Sequence, residues 1–222
     1  MRENLTEVVF ILDRSGSMSG LEADTIGGFN SMLERQKEEK GDAYLTTVLF
    51  DNQVEYLHDR IDIQKVNPIT SRDYYVRGCT ALLDAVGMTI EKIKHIHANA
   101  IESDVPAKTI FIINTDGMEN ASREYNYSGV RKMIKEQQER EDWEFIFLGA
   151  NIDSEDMAEH MGIKKNHAFN YANDEEGVGL NFRAMHKCVS TVREKKRFED
   201  VDSKLCESMS EVTEHHRVSK RR

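Results

Sequence analysis

The chain has 222 residues, of which 39% are hydrophobic and 32% charged, with 13 glycines and 2 prolines. That is enough apolar side chain for one sizeable core under a solvated surface, and it excludes collagen-like and proline-rich chains. A formal net charge of -10 disfavours any broad surface for nucleic acid or an anionic membrane, because such surfaces are built from excess Lys and Arg.

The longest unbroken apolar runs, Val8 to Leu12 and Ile110 to Ile113, fall far short of the roughly 18 residues that a spanning helix needs. The first is also shorter than the apolar core of about 7–15 residues in a secretory signal, so neither membrane insertion nor export is expected. Cys79, Cys188 and Cys206 are odd in number and widely spaced, which suits reduced thiols better than a disulfide framework. A cytoplasmic location is the expectation that follows.

In chain order, the first strand-like run is Val8 to Leu12, followed by a helical stripe of Leu21, Thr25, Phe29 and Met32. Tyr44 to Phe50 is the second run. The alternating segment Gln53 to His58 follows it after only Asp51 and Asn52, which predicts a tight antiparallel hairpin. Leu82, Val86, Ile90 and Ile93 share one helix face. Lys108 to Asn114 is the next strand, and Val130, Met133, Ile134 and Gln137 make the next stripe. Trp143 to Leu148 is another strand, His167 to Tyr171 a weaker one, and Met185, Cys188, Val189 and Val192 the last stripe. Helices alternate with strands as parallel pairing requires, and the runs at Val8, Lys108 and Trp143 lack polar alternation, as strands covered on both faces do. The fold class expected is α/β: a doubly wound, mostly parallel open sheet with one antiparallel edge strand. Residues 1–195 form the expected domain, and residues 196–222 a charged tail, helical or frayed.

In such a sheet, ligands bind outside the carboxyl ends of the strands where the strand order reverses. The first strand runs directly into Asp13-Arg14-Ser15-Gly16-Ser17, which places a carboxylate and two hydroxyls at alternate positions of a tight turn. Lys108 to Asn114 runs into Thr115-Asp116-Gly117, a second carboxylate at the same edge. Gly78-Cys79-Thr80 precedes the helix that begins near Ala81, so Thr80 is expected at its N-cap. Oxygen donors with no soft ligand suit a hard divalent cation such as magnesium. Each element alone reads equally well as a capping or turn motif; together at one edge they are harder to dismiss.

Asp13-x-Ser15-x-Ser17, Thr80 in its Gly-x-Thr context and Thr115-Asp116-Gly117 resemble the metal-ion-dependent adhesion site of von Willebrand factor A domains. The likeness covers roughly residues 5 to 195 and is nearest to the small stand-alone cytosolic A domains of bacteria. The resemblance implies the Rossmann-like fold of that family. It further implies that Ser15, Ser17 and Thr80 contact the metal directly, while Asp13 and Asp116 act largely through water. The metal implied is Mg2+, with Mn2+ as the substitute. The function implied is a non-enzymatic, metal-dependent protein–protein interaction in which a Glu or Asp carboxylate of a partner protein completes the coordination.

Other residues carry weaker signals. His95 and His97 point apart on one helix and cannot chelate together. Cys79 is expected to be a small buried thiol. Glu119, Asn120, Asn151 and Asp153 reach the same edge, Asp153 also reading as a helix cap. Arg14 and Arg77 are expected near the site, where they would help attract an acidic ligand. An alternative is an aspartate-dependent phosphatase or phosphotransferase with Asp13 as nucleophile and Asp116 as metal ligand. It lacks a second acid beside the nucleophile, where Ser15 stands, and later strand ends supply Asn151 and Asn170 instead of a lysine. A dinucleotide- or mononucleotide-binding protein would need G-x-G-x-x-G or G-x-x-x-x-G-K-[ST], and neither occurs.

Overall fold

A computed structural model describes residues 1–194 and 207–219. In chain order the elements are β1 (Arg2–Asp13), α1 (Glu22–Glu38), β2 (Asp42–Phe50), β3 (Val54–Asp62), α2 (Leu82–Asn99) and β4 (Pro106–Thr115). They continue with α3 (Tyr127–Glu141), β5 (Glu144–Gly149), α4 (Ser154–Met161), β6 (Ala168–Asn170), α5 (Glu175–Glu194) and α6 (Ser210–Ser219). Among the described residues the strands form one sheet of order β3-β2-β1-β4-β5-β6. All neighbours are parallel except β2 and β3. This is the doubly wound sheet with an antiparallel edge that the sequence pattern predicts.

Alternate residues of β1 face opposite layers, as the period of two requires. Val8, Phe10 and Leu12 join a core with Phe29 and Met32 of α1 and Phe182, Met185 and Val189 of α5. Val9 and Ile11 join the second core, with Val86 and Ile90 of α2, Val130 and Ile134 of α3 and Met157 of α4. The central strands are therefore buried on both sides, which is why their apolar runs show no polar alternation. From β1 the chain first builds outward through β2 and β3, then returns to lay β4 on the other side of β1. The switch point thus falls between the carboxyl ends of β1 and β4, where Leu12 pairs with Asn114.

The hairpin joining β2 and β3 turns as expected: the Gln53 amide donates to Asp51 Oδ1 at 2.7 Å, and the Asp51 amide to the Gln53 carbonyl at 3.1 Å. Asp153 caps α4 through the Asp156 amide. His97 packs edge-on against Trp143, with its Nε2 3.4 Å from Glu7.

The structure adds one element to the domain. Residues 195–206 lie outside the described residues, but 207–219 are not an appendage. Met209 and Val212 are buried in the core with α5, and His216 Nδ1 lies 3.1 Å from the Tyr171 carbonyl. Met209, Val212 and Val218 among so many polar residues are a faint stripe, which is why this segment reads as a charged tail from sequence. Met209→Ala should therefore lower unfolding stability by about 2–5 kcal/mol, the range for truncating a buried Met; denaturant titration would show a change under about 0.5 kcal/mol if α6 were only a surface extension.

Candidate metal centre

Three loops meet at the carboxyl edge of β1 and β4. Asp13 ends β1 fully buried, and its two oxygens are separately held: Oδ1 accepts from the Ser15 amide at 2.7 Å and Oδ2 from the Thr115 hydroxyl at 2.6 Å. A single turn, Gly16–Met18, then curls the chain so that Ser15 Oγ and Ser17 Oγ lie 2.9 Å apart. Ser17 Oγ in turn donates to Asp116 Oδ1. Thr80 enters from the loop before α2. A Cβ built on Gly117 would stand 3.1 Å from Thr80 Oγ1 and 3.2 Å from Ser17 Oγ. Both hydroxyls thus border one small space that stays open because residue 117 has no side chain. All five candidate residues, Asp13, Ser15, Ser17, Thr80 and Asp116, are brought to one place.

Thr80 is not the helix cap that its position suggests. The N-cap of α2 is Ala81, without a side-chain bond, and the Leu83 amide is satisfied by Glu119 Oε2 at 2.9 Å. The Thr80 amide donates to Asn120 Oδ1 at 3.0 Å and the Asn120 amide returns to the Thr80 carbonyl at 3.0 Å. Glu119 and Asn120 are therefore staples between loops, and they leave the Thr80 hydroxyl uncommitted. Asp84 extends the staple by accepting from the amides of Arg123, Glu124 and Tyr125.

Of the two arginines, Arg77 is exposed near the site as expected, whereas Arg14 differs from expectation. Arg14 is fully buried, with Nε 3.0 Å from Asp51 Oδ2 and Nη1 2.7 Å from Glu55. Arg77 Nε lies 2.6 Å from the same Asp51 oxygen, and the Arg77 amide donates to the Arg14 carbonyl at 2.8 Å. The charge of Arg14 is thus neutralised beneath the loop and does not face a ligand. Asp51, which reads from sequence as a turn residue, joins the Asp13–Ser17 loop to the Arg77–Ala81 loop; its carbonyl also accepts from the Ala81 amide at 2.8 Å. Cys79 is exposed, contrary to the buried thiol expected.

Two further groups at the site, Tyr74 and Asn173, have no sequence signal, and Thr115, read only as part of the Thr115-Asp116-Gly117 motif, takes a definite role. Tyr74, buried in the long loop before α2, donates its hydroxyl to the Asp13 carbonyl at 2.7 Å. Thr115 positions Asp13, and Asn173 Nδ2 approaches Asp116 Oδ2 at 3.4 Å. Only the packing of distant segments brings these residues there.

Among the described residues no Lys, Arg or His pairs with Asp13 or Asp116. Burial pushes both carboxyls up from the ordinary carboxylate range, against the hydrogen bonds that lower them. Asp116 rises to about 6, chiefly through burial and further through the Asp13 charge, despite the Ser17 bond. A buried pair of carboxyls short of positive charge, bordered by three hydroxyls and by no sulfur or nitrogen donor, fits a hard divalent cation. The described residues hold no cluster of three or more His, Cys, Asp and Glu, so a softer, multiply charged ligand set is not what this edge offers.

No protein-family model matches the sequence, and no curated protein matches it. Solved structures do. A von Willebrand factor type A protein from Catenulispora acidiphila is 15% identical with a TM-score of 0.55, over 83% of this chain and 42% of that one. The ArnB paralog VWA2 from Sulfolobus acidocaldarius is 17% identical with a TM-score of 0.51, over 79% and 43%. Proximal thread matrix protein 1 from the mussel byssus, described with a zinc-occupied MIDAS motif, is 15% identical with a TM-score of 0.53, over 84% and 48%. The chain spans less than half the length of each. At these identities the likeness establishes a von Willebrand factor A type fold.

Two outcomes follow from the electrostatics. Asp51→Asn leaves the buried Arg14 guanidinium without its main counter-charge, so stability should fall by about 3–5 kcal/mol; a denaturant midpoint close to wild type would contradict the pairing. In metal-free protein, Asp116 binds its proton more tightly folded than unfolded, so its contribution to stability decreases as pH rises from about 4 through about 6. Asp116→Asn should accordingly raise the melting temperature of metal-free protein at pH 7.5 more than at pH 4.5, and an equal shift at both would refute the raised pKa.

Proposed function

We propose that this chain is a metal-dependent protein-interaction module that binds an acidic side chain of a partner protein. The observation that carries the reading is that the Ser17 and Thr80 hydroxyls border the space beside Gly117, with Ser15 and Asp116 bonded to Ser17 and both buried carboxyls without a cationic partner among the described residues. Ser15, Ser17 and Thr80 would hold the metal directly. Asp13 and Asp116, each already hydrogen-bonded to groups of the site, would orient those hydroxyls and balance the charge. Magnesium is the ion proposed, with manganese as a substitute. Bound there among neutral hydroxyls, it supplies the positive centre that a partner's Glu or Asp carboxylate completes. The solved relative with a zinc-occupied MIDAS motif supports a divalent cation on this fold. A cytoplasmic setting accompanies the reading, supported by the exposed thiol of Cys79.

The geometry favours this over an aspartyl phosphotransferase. A nucleophilic carboxylate needs a free oxygen aimed at the substrate, whereas Asp13 has one oxygen pinned by the Ser15 amide and the other by Thr115. At the end of β6, where a phosphate-holding lysine would be wanted, Asn170 Oδ1 is engaged by the Ser154 hydroxyl at 2.8 Å.

Titration calorimetry with Mg2+ and Mn2+ tests the reading. Wild type should bind weakly, Asp13→Ala and Asp116→Ala should abolish binding, and Thr80→Ala should weaken it about tenfold. The Thr80 hydroxyl caps no helix, so Thr80→Ala should also melt within a few degrees of wild type without metal. Tight zinc binding that survives both aspartate substitutions would overturn the assignment, as would hydrolysis of an aryl phosphate that Asp13→Asn removes.

A further inference from the structure

The rim of the site is divided in both polarity and charge. Among the described residues the large apolar side chains left exposed are Met1, Tyr75, Ile101, Met118 and Val218. Met1 and Val218 belong to the ends of the chain, and Ile101 precedes β4 at the opposite end of the sheet. The other two stand on loops that build the site. Met118 is 67% exposed, two residues after Asp116, and Tyr75 is 43% exposed, in the loop that ends at Thr80. Neither is on a loose segment. The Met118 loop is tied to Thr80 by the paired Asn120 bonds. The Tyr75 ring lies against both guanidinium groups of the Asp51 junction, with its centroid 5.6 Å from Arg14 Cζ and 5.4 Å from Arg77 Cζ. Exposed apolar side chains on a rigid frame beside a polar site are the usual anchors of an interface, because their desolvation adds affinity at little entropic cost.

Charge then sets the direction of approach. The β5–β6 side of the face carries exposed Asp153, Glu155, Asp156, Asp174, Glu175 and Glu176. On the other side, beside Tyr75, exposed Arg72 and Arg77 stand with Asp51, which pairs with Arg77, and with the carboxylates of Glu55 and Asp73, so this side is close to neutral. An acidic ligand is repelled from the first side and meets no such repulsion on the second.

Resting on the metal-dependent reading above, we propose that the rim selects one kind of partner segment. In it, the Asp or Glu that reaches the metal is flanked by bulky apolar residues, one packing on Met118 and one on Tyr75, and any further acid lies away from the β5–β6 side. The flexible thioether of Met118 suits an apolar residue of variable shape, and the Tyr75 ring, held against Arg14 and Arg77, gives a fixed wall for the other.

An array of short peptides with a central Asp or Glu and varied neighbours, probed with the full chain in magnesium and in chelator, tests this. Metal-dependent binders should carry Leu, Met, Phe, Tyr or Trp beside the acid. Met118→Ser and Tyr75→Ala, both at exposed positions, should each weaken those binders about tenfold. Both variants should leave magnesium affinity in calorimetry and the binding of acid-only peptides unchanged. Metal-dependent binders with no apolar preference, or a preference that survives both variants, would overturn the proposal while leaving the interaction reading intact. Metal-dependent dimerisation lost in Met118→Ser would assign the patch to a second copy of the chain and also overturn it. An array with no metal-dependent binder at all would remove the underlying reading together with the proposal.

Discussion

Two buried carboxyls at the carboxyl ends of adjacent central strands, with no cationic partner among the described residues, are the constraint to which the surrounding structure answers. Asp13 and Asp116 are almost wholly withdrawn from water. Placing two such groups together is unfavourable, since burial and mutual repulsion both oppose ionisation. The fold meets this locally with donors: the Ser15 amide and Thr115 hydroxyl to Asp13, and the Ser17 hydroxyl and Asn173 amide to Asp116. These donors do not restore an ordinary carboxylate, and the remaining deficit of positive charge is what supports the proposal of a cation at this edge.

Such a site needs a stiff support, and that comes from two levels of structure. The central strands are packed on both faces, so the positions at which β1 and β4 end are set by two separate cores. Above the strands, the loops are tied to one another instead of to solvent. Asp51 joins the Ser15 loop to the Thr80 loop through Arg14, Arg77 and its own carbonyl. Glu119, Asn120 and Asp84 join the Asp116 loop to the start of α2. Buried ion pairs are a costly way to gain stability, but removing one partner is more costly still, and Arg14 with Asp51 therefore acts as a specificity device for loop register.

Much of this was legible in the sequence for a simple reason. Unalternating apolar runs report burial on both faces, alternating helices imply parallel pairing, and a doubly wound sheet directs attention to the carboxyl edge, where Asp13, Ser15, Ser17, Thr80 and Asp116 meet. What was not legible depends on partners far apart in the chain. Arg14 sits in the motif itself and reads as a surface cation; only the hairpin bringing Asp51 and Glu55 beneath it explains its burial. Thr80 reads as a cap because local spacing says so, until a loop about 40 residues later supplies Glu119 and Asn120. Tyr74 and Asn173 lie in irregular segments with no periodicity to read, and residues 207–219 bury only Met209 and Val212 of their three apolar side chains.

The central claim is that the five oxygen-bearing side chains form one divalent-cation site at the β1–β4 switch point. Anomalous diffraction from crystals grown in manganese tests it most directly. The account predicts a manganese peak bounded by the hydroxyls of Ser15, Ser17 and Thr80, absent from crystals of Asp116→Ala. A peak held by residues elsewhere, or an unoccupied switch point in crystals saturated with manganese, would contradict it.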